Sequence, residues 1–546
     1  MWSRTDRTAT SPPAAGWWGV ATATLVALLA RLIGVNGGLW IDEIYSVVRS
    51  FRAPLGAILT EYWGDNHHPL YAVLAHLSRA AFGESAWSVR LPAVLFGVAA
   101  VPALYALGRL VANHREALLA SLLLAVSYHH VWFSQNARGY SAIAFLAIVT
   151  TWAMLRGAET GRLRYFACYG VAAALGAYTH LTMVLVVAGH ALGALAYLVA
   201  PGARETIRTS RSPGAAGAAG AEGGAGANQA PGAVDRRTLL RGGVVAFTLA
   251  ALLTLALYAP MLGEVVDFFL HRPSGLRGVS TPGWAFMETI RVLVLGLGAG
   301  LALVGIVVVA AGVVVGGSGL ASLWRRERLF VLLLAGACLA TVAGAAAARG
   351  TMYPRFFFFA IGPAIIIAVR GAFASCGWLA GRLGRGAWGD RIALAGVAAV
   401  IALSAASLGF NYRYPKQDFE GAMRYVVAER GADDAVVSSG LSADPYRMLF
   451  GESWPVVSTR AELDSVRRQH ARTWVLWTFP RYLERSAPEI DAELKRECPT
   501  PRVFRGTVGG GDVMACFLPR LEPTPVTGDP AVAGGSPVRQ DPAKPK

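Results

Sequence analysis

Residues 38–92 read GLWIDEIYSVVRSFRAPLGAILTEYWGDNHHPLYAVLAHLSRAAFGESAWSVRLP, and they lie between two apolar runs. The stretch is too long for a simple connection and not apolar enough to cross a bilayer. Two parts of it carry helical spacing. Ile44, Val47, Val48 and Phe51 share one face, and Leu70, Val73, Leu74 and Leu77 share another. Both predict helices lying in the plane of a membrane interface. The acidic pair Asp42 and Glu43 follows Trp40, directly after the first apolar run. Charge at membrane depth is costly unless it has a partner or chemistry to perform. Taken alone, the pair also suits an ordinary helix start, where Asp is favoured. His67, His68 and Pro69 open the second interfacial helix. By itself a histidine pair there reads as a polar turn. A metal site built from Asp42, His67 and His68 lacks HxxxH-type spacing, so a divalent metal is possible but not expected.

Outward from this loop the chain is strongly apolar. It has 546 residues, 54% hydrophobic and 15% charged, where a soluble protein would carry about 25% charged residues. That pattern predicts a polytopic α-helical membrane protein. Candidate spans are 17–36, 88–110, 115–128, 139–156, 164–179, 181–200, 240–262, 287–315, 329–347, 356–380 and 391–410, about eleven in all. The first has no small-residue cleavage site after it and is expected to be retained. The 15 Trp and 17 Tyr gather near the ends of apolar runs, as interface belts do.

The net charge of +16 resides in short arginine clusters between apolar runs, a topological signal and not a nucleic-acid footprint. Arg4 and Arg7 precede the first run. Arg109 with Arg115, Arg156 with Arg162 and Arg164, the arginines of 201–241, Arg325 with Arg326 and Arg328, and Arg382 with Arg385 and Arg391 follow at later turns. With eleven spans all of them fall on one side, which the positive-inside rule makes cytoplasmic. The N-terminus is then cytoplasmic, and residues 37–87, 128–140, 263–286, 348–355 and all after 410 are outside. The expected localisation is the plasma membrane.

The domain organisation expected is a transmembrane domain over 1–410, a small extracytoplasmic α/β domain over 411–520 and a Pro-rich disordered tail over 521–546. Within the first, residues 201–238 are rich in Gly, Ala, Ser and Pro and predict a flexible cytoplasmic linker. In 411–520, AVVSSG and TWVLWTF predict short strands, and FEGAMRYVVAER and RAELDSVRRQH predict helices. Cys168, Cys338 and Cys376 sit in or beside apolar runs as small buried hydrophobes. Cys498 and Cys516 fall in the polar segment and can form a disulfide if it lies outside.

Two outer-face arginines stand out. Arg138 and Tyr140 occur in SYHHVWFSQNARGYSA, at the mouth of a span. An arginine there can simply snorkel beside an aromatic anchor. Arg355 occurs in RGTMYPRFFFFAIGP, close to Arg349, on the side where positive charge is not expected. Guanidinium groups beside membrane helices suit a lipid-linked phosphate, which they bind in bidentate fashion.

The ordered set WIDEIYS, DNHHPLYAVLAHLSRAAFGES, WSVRLPAVLFGVAAVPALYALGRLV, FSQNARGYSAIAFLAI, AYTH and YPRFFFFAIGP resembles the GT-C glycosyltransferases. It is most similar to the bacterial branch related to protein O-mannosyltransferases (glycosyltransferase family 39) and lipid A aminoarabinose transferases. The family's "HPPLY" reads HHPLY here, the serine of its "RLPS" is Ala93, and Tyr45 and Ser46 stand where some relatives carry an arginine. The resemblance covers roughly residues 17–370. It implies a GT-C fold, a polyprenyl-phosphate sugar donor, a hydroxyl acceptor in the cell envelope (protein, lipid or polysaccharide), inversion at the sugar carbon and no cofactor. On that likeness Asp42 is the general base and Glu43 tunes it or positions the acceptor. Arg138 and Arg355 hold the donor phosphate, and His67, His68 and Tyr140 orient sugar or phosphate. Two other classes compete. A flippase of lipid-linked sugars would carry mid-span ionisable residues and inverted repeats. A non-catalytic scaffold gives no reason for these polar residues to share one face.

Overall fold

The computed structural model describes residues 14–64, 66–200, 235–271, 302–347 and 353–522. Most of the predicted linker, the start of the eighth expected span, Arg349 and the predicted tail beyond residue 522 lie outside the described residues. The chain divides into two compact units, Met1–Gln417 and Asp418–Lys546.

The first unit is helical. Helix α1 (Ala14–Leu32) is followed by α2 (Ile41–Ser46), a π-helical turn (Val47–Phe51), α3 (Leu55–Thr60) and α4 (Pro69–Phe82). Then come α5 (Ala86–Val111), α6 (His114–Val126), α7 (Tyr128–Ser134), α8 (Tyr140–Thr160), α9 (Leu163–Thr179), α10 (Thr182–Val199) and α11 (Arg236–Tyr258). Long helices Ala302–Arg326, Arg328–Ala347, Ile361–Arg382 and Gly386–Arg413 complete it. A described helix overlaps each of the eleven expected spans, the eighth only over its second half, where the helix is Ala302–Arg326. Among the described residues seven are long and apolar enough to cross a membrane, or eight if the bent pair α6 and α7 forms one span. The chain is a multi-pass membrane protein.

Local chemistry sets several of these boundaries. Ser85 caps α5 by accepting from Ser88 N–H, and Ser85 N–H in turn donates to the Ser88 hydroxyl oxygen. Asp235 caps α11, so that helix starts at Arg236, earlier than the linker's expected end. The expected outer loop 128–140 instead opens with α7, bent 56° from α6. Arg31 stabilises this corner: its Nη2 lies 2.6 Å from His130 Nδ1 on α7, and its Nη1 donates to Ala27 O and Ala125 O. Between α10 and the helix Arg328–Ala347, a Cβ on Gly189 or Gly336 would run into the facing backbone, so these glycines set the close approach.

The two predicted interfacial helices turn their stripes in different directions. Ile44, Val47 and Phe51 are buried, as their spacing predicts. On α4 the buried face is Tyr71, Ala72, Ala75 and Ser78, while Leu77 of the predicted stripe is 50% exposed. The large apolar side chains of an interfacial helix belong toward lipid, and its smaller ones pack on protein. The periodicity located the stripe but not the side it faces.

The second unit carries a four-stranded sheet of order β1-β2-β4-β3, from β1 (Ala435–Ser438), β2 (Arg472–Thr478), β3 (Arg502–Phe504) and β4 (Val513–Pro519). β1 runs parallel to β2, and β4 is antiparallel to both β2 and β3. Helices Phe419–Glu429 and Arg460–Gln469 form where the sequence predicts them. Val475, Trp477, Leu463, Ile490 and Leu518 fill the core, and Cys498 is disulfide-bonded to Cys516.

Candidate active site

Asp42 lies in the first turn of α2, where the helix dipole favours a carboxylate. Its Oδ2 meets two guanidinium groups, Arg138 Nη1 at 3.2 Å and Arg355 Nη1 at 3.5 Å. The three residues come from three separate segments: helix α2, the turn between α7 and α8, and the 3₁₀ helix Pro354–Ala360. Asp42 keeps 22% side-chain exposure and Arg355 31%, whereas Arg138 is buried at 2%. The site is thus open on the Asp42–Arg355 side and closed behind Arg138.

Arg138 is fixed by its neighbours. Its Nη1 donates to Asn66 Oδ1, and its Nη2 lies 2.9 Å from His68 Nε2. The ring of Tyr140 lies 5.6 Å from its guanidinium carbon. Asn66 Nδ2 also donates to the Asp42 carbonyl at 3.3 Å, bridging the two segments. A neutral imidazole has one acceptor nitrogen, yet His68 faces an N–H at both, with Gly139 N–H 3.3 Å from Nδ1. The shorter, charge-assisted contact to Arg138 is the stronger. It makes Nε2 the acceptor and leaves the proton on Nδ1. Burial and then the Arg138 charge hold His68 well below the usual histidine range, so the ring is neutral. Gly139 has no room for a side chain, because a Cβ would strike Thr179 and the His68 ring.

Aromatic rings wall this arrangement. His68 packs edge-on against Tyr140 at 5.7 Å and His180 at 4.8 Å. His180, at the end of α9, is pushed down to about 3 by burial and by Arg138 and Arg355. Tyr140 is 2% exposed, so it supports His68 and Arg138 from behind.

Glu43 and His67 stand apart from the open side. Glu43 is fully buried, and Arg90 grips it from Nε to Oε1 at 2.8 Å and from Nη2 to Oε2 at 2.6 Å. Its oxygens also accept Ala137 N–H and Trp40 N–H. Burial would raise its pKa, but Arg90, with Lys416 and the Ala137 N–H, holds it below the usual range. Glu43 therefore reaches the site only through backbone: it ties the start of α2 to the residue before Arg138. His67 stacks on Trp63 at 5.6 Å and leans on Tyr62. Among the described residues no group of three or more His, Cys, Asp or Glu is arranged to hold a metal.

Four residues near the site carry no role in the sequence reading: Asn66, Arg90, Asn136 and His180. Asn136 Oδ1 accepts from the Trp40 indole at 3.1 Å. Three of them lie inside DNHHPLY, QNARGY and AYTH, and Arg90 opens RLP, so the signal was motif membership without an assigned partner.

The model of the dolichyl-phosphate-mannose-protein mannosyltransferase family matches residues 66–220. Among solved structures, the chain is similar to the oligosaccharyltransferase AglB of Archaeoglobus fulgidus, with a TM-score of 0.50 and 11% identity over 94% of this chain and 75% of that one. It is similar also to ArnT of Cupriavidus metallidurans, with a TM-score of 0.47 and 13% identity over 92% of this chain and 98% of that one. No curated protein matches the chain. The fold is GT-C, and the matched family segment adds the activity class. The chain is a membrane glycosyltransferase with a GT-C fold, resembling the O-mannosyltransferases over residues 66–220.

Proposed function

We propose that this enzyme transfers a sugar from a polyprenyl-phosphate donor to a hydroxyl acceptor, with inversion, at the outer face of the plasma membrane. The observation that carries this reading is the meeting of Arg138 and Arg355 on one oxygen of Asp42. A carboxylate held next to two phosphate-binding groups suits a reaction that takes a proton and releases a phosphate. Asp42 accepts the proton from the acceptor hydroxyl as that oxygen bonds to the sugar carbon. The bond from the sugar carbon to phosphate oxygen breaks, and its electron pair goes to the phosphate. Arg138 and Arg355 stabilise the charge that grows there. The AglB structure of similar fold is a complex with an inhibitory peptide and a dolichol-phosphate, which supports a lipid phosphate as ligand of this architecture.

The arginine clusters support a cytoplasmic N-terminus. The Cys498–Cys516 bridge supports an oxidising, extracytoplasmic compartment for the second unit. Mass spectrometry of envelope glycans and glycolipids from a deletion strain, complemented with wild type or Asp42→Asn, tests the reading. One glycoform is expected to vanish on deletion and to return only with wild type. Its return with Asp42→Asn would remove Asp42 as the base.

A further inference from the structure

The turn that carries Arg138 has little regular structure of its own, and part of what holds it arrives from far along the chain. Asn411, near the end of the last membrane helix, donates from Nδ2 to Gln135 Oε1 at 2.7 Å. Lys416 donates from Nζ to Gln135 O at 2.6 Å and lies 5.2 Å from the centre of the Trp132 ring. Gln417 accepts Ile41 N–H on its Oε1 at 3.0 Å, at the first residue of the helix that bears Asp42. Lys416 is 6% exposed and Gln417 1%. Among the described residues no carboxylate lies within ion-pair distance of Lys416; its direct contacts are a carbonyl and a ring face, and Glu43 supplies an opposite charge from further away. Burying an ammonium group this way is costly, and a lysine is rarely this buried without a partner.

We infer that residues 411–417 form a clamp that sets the separation of Asp42 and Arg138. Asn411 and Lys416 fix the turn that presents Arg138, and Gln417 fixes the first turn of α2. Asn411 and Lys416 bond to Gln135, and Gln417 to the backbone of Ile41, so they act as positioning residues. The inference rests on the reading of Arg138 as a ligand of the donor phosphate.

The test measures binding of undecaprenyl phosphate to the full-length protein by native mass spectrometry. The variants are Lys416→Met, Arg138→Gln and the two combined, with Asn411→Ala as a milder lesion. Lys416→Met is expected to weaken binding by about tenfold in the wild-type background and to change nothing further once Arg138 is Gln. That non-additivity separates positioning from general loss of fold, which would weaken both backgrounds alike. Wild-type affinity in Lys416→Met, or equal losses in both backgrounds, overturns the clamp. If Lys416→Met does not fold, Asn411→Ala carries the same comparison, with a smaller loss that Arg138→Gln abolishes. Unchanged binding in Arg138→Gln alone would instead defeat the phosphate reading, and the clamp with it.

Discussion

Arg90 directs all of its N–H groups to partners behind the candidate site: Glu43, and the carbonyls of Val35, Gly37 and Gly38. The two charged side chains are 1% and 0% exposed. Removing one member of such a pair leaves the other buried and unpaired, at about 3–5 kcal/mol. Glu43→Gln is therefore expected to lower thermal stability and transfer together. Asp42→Asn, at a partly open position, is expected to abolish transfer and leave the melting temperature within a few degrees of wild type. Melting curves alongside a membrane transfer assay check both, and a Glu43→Gln protein as stable as wild type would contradict the account of the pair.

Arg138 and Arg355 differ in burial, and the difference has kinetic consequences. Arg138→Gln is expected to cost about 10²–10³ in kcat, as loss of a preorganised transition-state donor does. Arg138→Lys should rescue little, because an ammonium cannot serve Asn66, His68 and Asp42 from one planar fork. Arg355, 31% exposed, should cost less in kcat and more in donor KM. Steady-state kinetics with a polyprenyl-phosphate sugar decide this.

His67 links pH to stability. Burial pushes it down from 6.5 to about 4. Between those values the unfolded chain binds a proton that the folded chain does not, so stability rises with pH across that window. The contribution is of order 3 kcal/mol at full shift. Melting temperature is expected to climb from about pH 4 to 6.5. His67→Phe should flatten part of that slope, and an identical slope in the variant would show that other groups carry it.

The bridge between Cys498 and Cys516 closes a short loop in the second unit. Its loss in Cys498→Ser should destabilise that unit by about 3 kcal/mol. Thiol alkylation before and after reduction should label the pair only after reduction in wild-type membranes. Labelling without reduction would place the second unit in a reducing compartment.

Much of this architecture was legible in the sequence because hydrophobic runs and helix period are local signals. The spans, β1, β2 and the helices Phe419–Glu429 and Arg460–Gln469 each follow from a dozen or so neighbouring residues, whereas β3, β4 and the helices between Pro480 and Glu497 were not foreseen. What stayed hidden was partnership across the chain. Nothing in WIDEIYS says that Asp42 turns to the arginines while Glu43 turns to Arg90 in RLP. Likewise HHP does not show which histidine faces Arg138: adjacent side chains at a helix start diverge, and tertiary packing chooses between them. The clamp from residues 411–417 was equally invisible, since an isolated Lys or Gln after an apolar run has no pattern.

The two guanidinium groups on Asp42 also bear on what happens after transfer. In the proposed reaction the donor is a phosphodiester with one negative charge, and the lipid product is a monoester with up to two. The same pair of arginines therefore holds the product more tightly than the donor. Turnover should then be governed by departure of the spent lipid carrier, and added undecaprenyl phosphate should inhibit competitively at concentrations below the donor KM.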